Sequence, residues 1–157
     1  MKRIIIFACL MIIAVSGIAQ TAKPDYSGTW KRTIVLDEQG RRNQNPGDTM
    51  TIVHTEPDIQ VRLLLKEAAG ERTLEMKGKT DGKDYELKAD VRPASFSARW
   101  DAGKLILTVR HNTANGPVQT RRQMWLMGEG KNLGSLAVQT DKSGVALSRL
   151  NERWEKQ

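Results

Sequence analysis

Residues 59–66, Ile-Gln-Val-Arg-Leu-Leu-Leu-Lys, decide the fold class of this chain. The odd-numbered positions of this stretch are all apolar, whereas Gln60, Arg62 and Lys66 fall on the even-numbered ones. A period of two is typical of a β-strand that buries one face, because successive side chains point to opposite sides of a sheet. The stretch therefore predicts a half-buried strand.

Alternating runs of the same kind recur along most of the chain, separated by residues that favour turns. No window of about 12 residues carries the three-and-four spacing of an amphipathic helix. About nine or ten strands are predicted, over residues 29–36, 49–54, 59–66, 72–76, 85–89, 96–100, 105–111, 118–127, 136–138 and 145–154. We therefore expect an all-β protein.

The short connections between these runs indicate how the strands are joined. Asp81-Gly82 is a pair that adopts positive φ in tight hairpins, and it predicts a hairpin between the runs on either side of it. Strands about ten residues apart and joined by hairpins form an antiparallel up-and-down meander, which avoids exposed edges by closing on itself. We expect a barrel of 8 to 10 strands, and a sandwich of two sheets is the alternative.

The N-terminus has the pattern of a targeting segment. Lys2 and Arg3 precede an apolar run from Ile4 to Val15, and small residues follow at 17–19, which predicts a secretory signal peptide over residues 1–19. The run is shorter than the roughly 20 residues that span a bilayer, so a membrane anchor is not expected. Cys9 lies inside the run rather than at its end, which disfavours lipid attachment.

Composition and charge limit the function further. The 157 residues include 25 Lys and Arg against 18 Asp and Glu, a net charge of +7 that falls to +5 when residues 1–19 are removed. The remaining chain has no cysteine, which suits a periplasmic or secreted protein. Its basic residues are spread out, which indicates a solvated outer face rather than a nucleic-acid site, and no stable membrane insertion is expected after cleavage. The oligomeric state stays open.

The residues of common catalytic and metal sites are scarce. The chain has two histidines, His54 and His111, and neither lies at a recognisable spacing from a nucleophile or a carboxylate. Two histidines and one cysteine are too few for a structural zinc site, which takes four such ligands. We therefore predict no catalytic residue, no metal ligand and no cofactor.

Residues 25–31, Asp-Tyr-Ser-Gly-Thr-Trp-Lys, resemble the opening of the calycin barrels, which carry Gly-x-Trp on their first strand. Further short motifs at 81–83, 98–107 and 155–157 resemble those of exported bacterial lipocalin-like domains of unknown function. The resemblance implies that residues 20–157 form a single lipocalin-like β-barrel domain. It also implies structural roles for Gly28 and Trp30, with Arg149 or Arg153 of the last strand packed on the tryptophan.

The last strand is also similar to that of fatty-acid-binding proteins, in which an Arg-x-Tyr pair holds the ligand carboxylate. Asn151 stands in place of the tyrosine, and Arg149 is the matching arginine. The resemblance therefore implies that Arg149 binds a ligand. Large or adaptable side chains on other strands would line the same cavity, unless they pack as core. The residues predicted to line this cavity are Trp100, Trp125, Met124 and His111.

These observations favour an exported, non-enzymatic protein that binds a small apolar or amphipathic molecule in its barrel. The alternative is a structural or protein-interaction module of the cell envelope, with a filled barrel whose basic face or loop 112–117 meets a partner. A hydrolase or isomerase that uses His111 is a third hypothesis, which the absence of catalytic partners in the sequence disfavours.

Overall fold

The computed structural model describes residues 23–42, 47–67, 70–87 and 94–157, so the predicted signal peptide and Cys9 lie outside the described residues. Within them the chain forms ten strands: β1 (Gly28–Leu36), β2 (Thr49–Thr55), β3 (Asp58–Glu67), β4 (Gly70–Lys79), β5 (Tyr85–Leu87), β6 (Ala94–Asp101), β7 (Lys104–Thr113), β8 (Gly116–Met127), β9 (Asn132–Asp141) and β10 (Ala146–Lys156).

The ten strands form one antiparallel sheet in the order β4-β3-β2-β1-β10-β9-β8-β7-β6-β5. Every neighbouring pair is consecutive in sequence except β1 and β10, in which Trp30 lies opposite Lys156. This pairing of the first strand with the last rolls the meander into a nearly closed barrel whose two edges are β4 and β5. The predicted all-β, lipocalin-like barrel of 8 to 10 strands is thus confirmed.

The predicted hairpin at Asp81-Gly82 is wrong, because β4 and β5 do not pair. The amide of Gly82 donates to the carbonyl of Ala98 at 2.8 Å, and Asp81 forms a bridge with Arg99, so the turn attaches to β6. The ring of Tyr85 lies against Gly78, where an added methyl group would come within 2.6 Å of Tyr85 Cδ2. A side chain therefore fills the space between β4 and β5 that a backbone ladder would need.

The two ends of the barrel differ in their connections and filling. At one end, which we call the closed end, lie the start of β1, the β2–β3, β6–β7 and β8–β9 turns and the end of β10. Most inward side chains there are fully buried and form the core, and Trp100 and Leu126 are partly buried against it. The largest of the fully buried ones are Trp30, Trp154, Tyr26, Met50, Ile52, Ile59, Leu105, Met124 and Leu133. At the opposite end, the open end, β1, β3, β5, β7 and β9 end and β2, β4, β6, β8 and β10 begin.

Lys156, rather than either predicted arginine, packs on the first-strand tryptophan. Its Nζ lies 5.3 Å from the centre of the Trp30 ring, and its stem crosses Gly28, where a Cβ would come within 2.6 Å of Lys156 Cε. Gly28 also has a φ of +140°, which favours glycine. Arg149 and Arg153 are exposed, because they alternate with the inward side chains of β10 and so face outward. The prediction that one of them covers Trp30 is therefore wrong.

Candidate functional site

The open half of the barrel interior is incompletely filled. Phe96 and Val118 are buried there, but the inward side chains that are only partly buried include Leu65, Leu74, Val109, Thr120 and Leu150. Residues 146–149 of β10 are exposed throughout, although alternate side chains in a strand face inward. Most of the corresponding side chains of the closed half are completely buried. The inward face of the open half is therefore covered less completely than that of the closed half.

A groove of about 600 Å³ lies at the open-end rim, where β6, β7, β8 and β9 meet. One row across these strands, Ala94, His111, Val118 and Asp141, is paired in register and lies on one face of the sheet. The next row also lines the groove, so the groove opens over the rim rather than being sealed inside the barrel. Its volume is in the range of about 300 to 1,000 Å³ that is typical of small-molecule sites.

The floor of the open half is a buried group of polar side chains, which we call the interior charge cluster: Arg32, Asp48, Arg122, Ser135 and Glu152. Arg32 Nη1 lies 2.8 Å from Glu152 Oε1, and Arg122 Nε lies 3.2 Å from Glu152 Oε2. The Ser135 hydroxyl donates to Glu152 Oε2 at 2.6 Å, and Arg32 Nη2 lies 2.5 Å from Asp48 Oδ2. Glu152 is thereby held from three sides.

The cluster is electrically balanced, with two guanidinium groups against two carboxylates. Burial alone would raise the pKa of Glu152, but Arg122, the Ser135 hydroxyl and Arg32 outweigh burial and lower this pKa below its ordinary value. Both guanidinium carbons lie over the Trp154 ring, at 5.5 Å for Arg32 and 5.9 Å for Arg122. The ring therefore supports the cluster from the core side, through cation–π contacts as well as packing.

The interior charge cluster was missed in the sequence, although the sequence carries a signal for it. Arg32 follows Trp30 by two residues, and Glu152 precedes Trp154 by two. Positions two apart in a strand share a face, so each charged residue shares the face of a buried tryptophan. A charged residue on an otherwise apolar face indicates an interior ion pair, since a buried charge needs a partner.

A second polar cluster lies at the closed end, around Glu56. Its carboxylate accepts hydrogen bonds from Trp100 Nε1 at 3.0 Å, from Lys23 Nζ at 2.8 Å and from the Thr80 hydroxyl. His54 Nε2 lies 3.2 Å from the same carboxylate. Burial would raise the pKa of Glu56, but its hydrogen bonds to these neighbours lower the pKa to about 2. This cluster holds the N-terminal segment and Trp100 against the barrel.

The structure brings few of the predicted ligand-binding residues together. Met124 is fully buried in the closed half, and Trp100 lies at the closed end beside Glu56. Trp125 faces outward, where it packs on Gly134 and lies under the amino group of Lys104. Arg149 is exposed on the outer face. Of the five predicted residues, His111 alone lies at the open end, in the rim groove.

The described residues contain no group of three or more His, Cys, Asp and Glu side chains that could hold a metal ion. They also contain no helix that is long and apolar enough to cross a membrane.

The sequence matches no protein-family model and no curated protein. Its fold, however, is similar to those of several solved barrels. Human cRBP IV, a cellular retinol-binding protein, has a TM-score of 0.56 at 12% identity, over 85% of this chain and 99% of that one. The secretory abundant heat soluble protein 4 of Ramazzottius varieornatus has a TM-score of 0.59 at 15% identity, over 87% and 97%.

A third similar structure is the zebrafish ileal bile acid-binding protein complexed with cholic acid. Its TM-score is 0.53 at 14% identity, over 84% of this chain and 98% of that one. At such low identities the likeness establishes the fold. These three proteins share with this chain one barrel architecture along almost their whole length, and the chain is accordingly a lipocalin-like β-barrel.

Proposed function

We propose that this protein binds a small apolar or amphipathic molecule in the open half of its barrel, without catalysing a reaction. The observation that carries the proposal is the difference between inward side chains at the two ends. Leu65, Leu74, Val109 and Leu150 are partly exposed, whereas most inward side chains of the closed half are completely buried. Apolar side chains around an accessible concave space are what a small-molecule site requires.

The similar structures support the same function. One is named as a retinol-binding protein and another was solved with cholic acid, so barrels of this shape hold small, largely apolar molecules. The proposal also includes export, on the evidence of the N-terminal basic and apolar pattern. An exported carrier would meet its ligand outside the cytoplasm.

A substitution that fills the open half provides the test. Thr120→Trp places a large ring on the inward face of β8, level with Val109 in the register. Gln123→Trp places the same ring on the outward face of that strand and serves as the matched control. Binding is measured by the fluorescence of Nile red, an uncharged apolar dye, and the melting temperature of each variant reports folding.

We expect the parent protein and the Gln123→Trp variant to bind the dye with similar affinity. Thr120→Trp should weaken binding by about tenfold or more, because the ring occupies ligand volume. Absence of binding to the folded parent protein, with no small-molecule adduct by native mass spectrometry of the purified protein, would overturn the proposal in favour of the filled structural module. Equal affinity of all three chains would overturn the location of the site.

A further inference from the structure

The carboxylate of Glu152 is surrounded by groups that could equally hold the carboxylate of a ligand. Its side chain has no solvent exposure, and its two oxygens face two guanidinium groups and a hydroxyl inside the barrel. Guanidinium groups and hydroxyls both donate hydrogen bonds that a carboxylate accepts. Here that carboxylate is part of the chain, fixed on β10 next to Trp154.

The two arginines nevertheless keep a small exposed fraction, unlike the carboxylates that they bind. The exposed fraction of the side chain is 13% for Arg32 and 16% for Arg122, against 0% for Glu152 and 2% for Asp48. Arg122 Nε lies 3.2 Å from Glu152 Oε2, which is an ion-pair distance. Among the described residues, it is nevertheless the buried side-chain donor that makes no well-aligned hydrogen bond. A guanidinium group has only donors, so what it can still bind is an acceptor.

The balance of charge decides which acceptor can enter. Asp48 and Glu152 already neutralise the two arginines, so a second carboxylate from a ligand would meet like charges within the cluster. It would also lose its hydration without gaining an unpaired cation, which is costly in a buried site. An uncharged oxygen, as in an alcohol or an aldehyde, avoids both costs and still accepts a hydrogen bond.

We propose that Glu152 makes the barrel selective for uncharged amphiphiles, whose oxygen head accepts a hydrogen bond from Arg32 or Arg122, and excludes carboxylic acids of the same chain. This inference rests on the proposed function, since it assigns a ligand class to the same open half. Removing the charge of Glu152 should leave the arginines with one carboxylate between them and open the cluster to an acid.

Oleyl alcohol and oleate, which share a chain and differ in the head, test this selectivity when each displaces Nile red from the protein. We expect the parent protein to bind the alcohol more tightly than the acid by about tenfold or more, the factor that one unfavourable charge contact of about 1.4 kcal/mol gives. Glu152→Gln should raise the affinity for oleate by a similar factor. The control, Glu155→Gln, changes an exposed residue of β10 and should leave both affinities unchanged.

The outcomes separate this inference from the proposed function. If the parent protein binds Nile red but prefers oleate, or binds both ligands equally, the selectivity is refuted while the binding function stands. A folded Glu152→Gln chain with unchanged affinity for oleate also refutes the role of Glu152. Failure to bind the dye or either ligand refutes the binding function itself. If Glu152→Gln does not fold, the comparison of the two ligands on the parent protein still decides the selectivity.

Discussion

The closed and open halves of this barrel are built from the same ten strands but are filled differently. In the closed half, the inward tryptophan, tyrosine and methionine side chains of the core are completely buried, as Trp30, Trp154 and Met124 illustrate. In the open half, by contrast, the inward side chains of Leu150 and Val109 are partly exposed. The strands that carry them meet the rim of the open end a few residues away. The two halves thus differ in how completely their inward side chains are buried.

The interior charge cluster marks the boundary between the two halves. Below it, Trp154 and Leu133 belong to the packed core, whereas above it Leu150 and Thr120 are only partly buried. Buried ion pairs stabilise a fold little when compared with apolar packing, because both charges lose their hydration. The apolar packing below the cluster therefore contributes more to stability than the cluster does.

Matched leucine truncations should give the largest difference between the halves. Leu105→Ala removes a fully buried side chain from the closed half and should lower the free energy of unfolding by about 2 to 5 kcal/mol. Leu150→Ala removes the same atoms from a partly exposed inward position, and we expect a loss below about 1.5 kcal/mol. Urea denaturation of both variants measures these values. Similar losses would mean that the open half is packed as tightly as the closed half.

The Glu56 cluster should make the closed end sensitive to acid. Because the pKa of Glu56 is lowered to about 2 in the folded chain, from 4.5, its contribution to stability is complete above the higher pKa and is lost as the pH falls toward the lower one. Melting temperatures measured from about pH 6 to pH 2 should therefore fall less steeply for Glu56→Gln than for the parent protein.

The exposed Glu75, which pairs with Arg62 on the outer face, provides the control for this measurement. Glu75→Gln should change the melting temperature little, since exposed pairs contribute about 0 to 1 kcal/mol. Parallel curves for Glu56→Gln and the parent protein would show that Glu56 is not the acid-sensitive group.

The smallest expected effect concerns the residue that covers Trp30. Lys156→Met keeps an apolar stem over Gly28 but removes the cation, and should cost about 0.5 to 1 kcal/mol. Arg153→Met changes an outward, exposed side chain on the same strand and should stay within about 0.5 kcal/mol of the parent protein. Chemical denaturation compares the two, and a larger loss for Arg153→Met would restore the arginine to the position that the family resemblance implied.

Local patterns in the sequence determined the strands, because period-two alternation and turn residues act over a few neighbouring positions. The stretch at 59–66 lies in β3, and Gly28-Thr29-Trp30 begins β1 as the calycin resemblance implied. Inward and outward faces follow from the same period. The sequence therefore also predicts that Arg149 and Trp125 face outward, because they alternate with Leu150 and Met124, which face inward.

What only the tertiary structure decided is which distant side chains meet inside the barrel. Arg32 and Glu152 are separated by 120 positions in the sequence, yet Arg32 Nη1 lies 2.8 Å from Glu152 Oε1. They meet because β1 pairs with β10, with a register shift in β1 just after Arg32. Asp81-Gly82 likewise joins β6 rather than forming the expected hairpin. A local pattern fixes the face of a side chain, but the register between strands distant in sequence follows from closing the whole barrel. The interior charge cluster therefore emerges only when β1, β8, β9 and β10 come together.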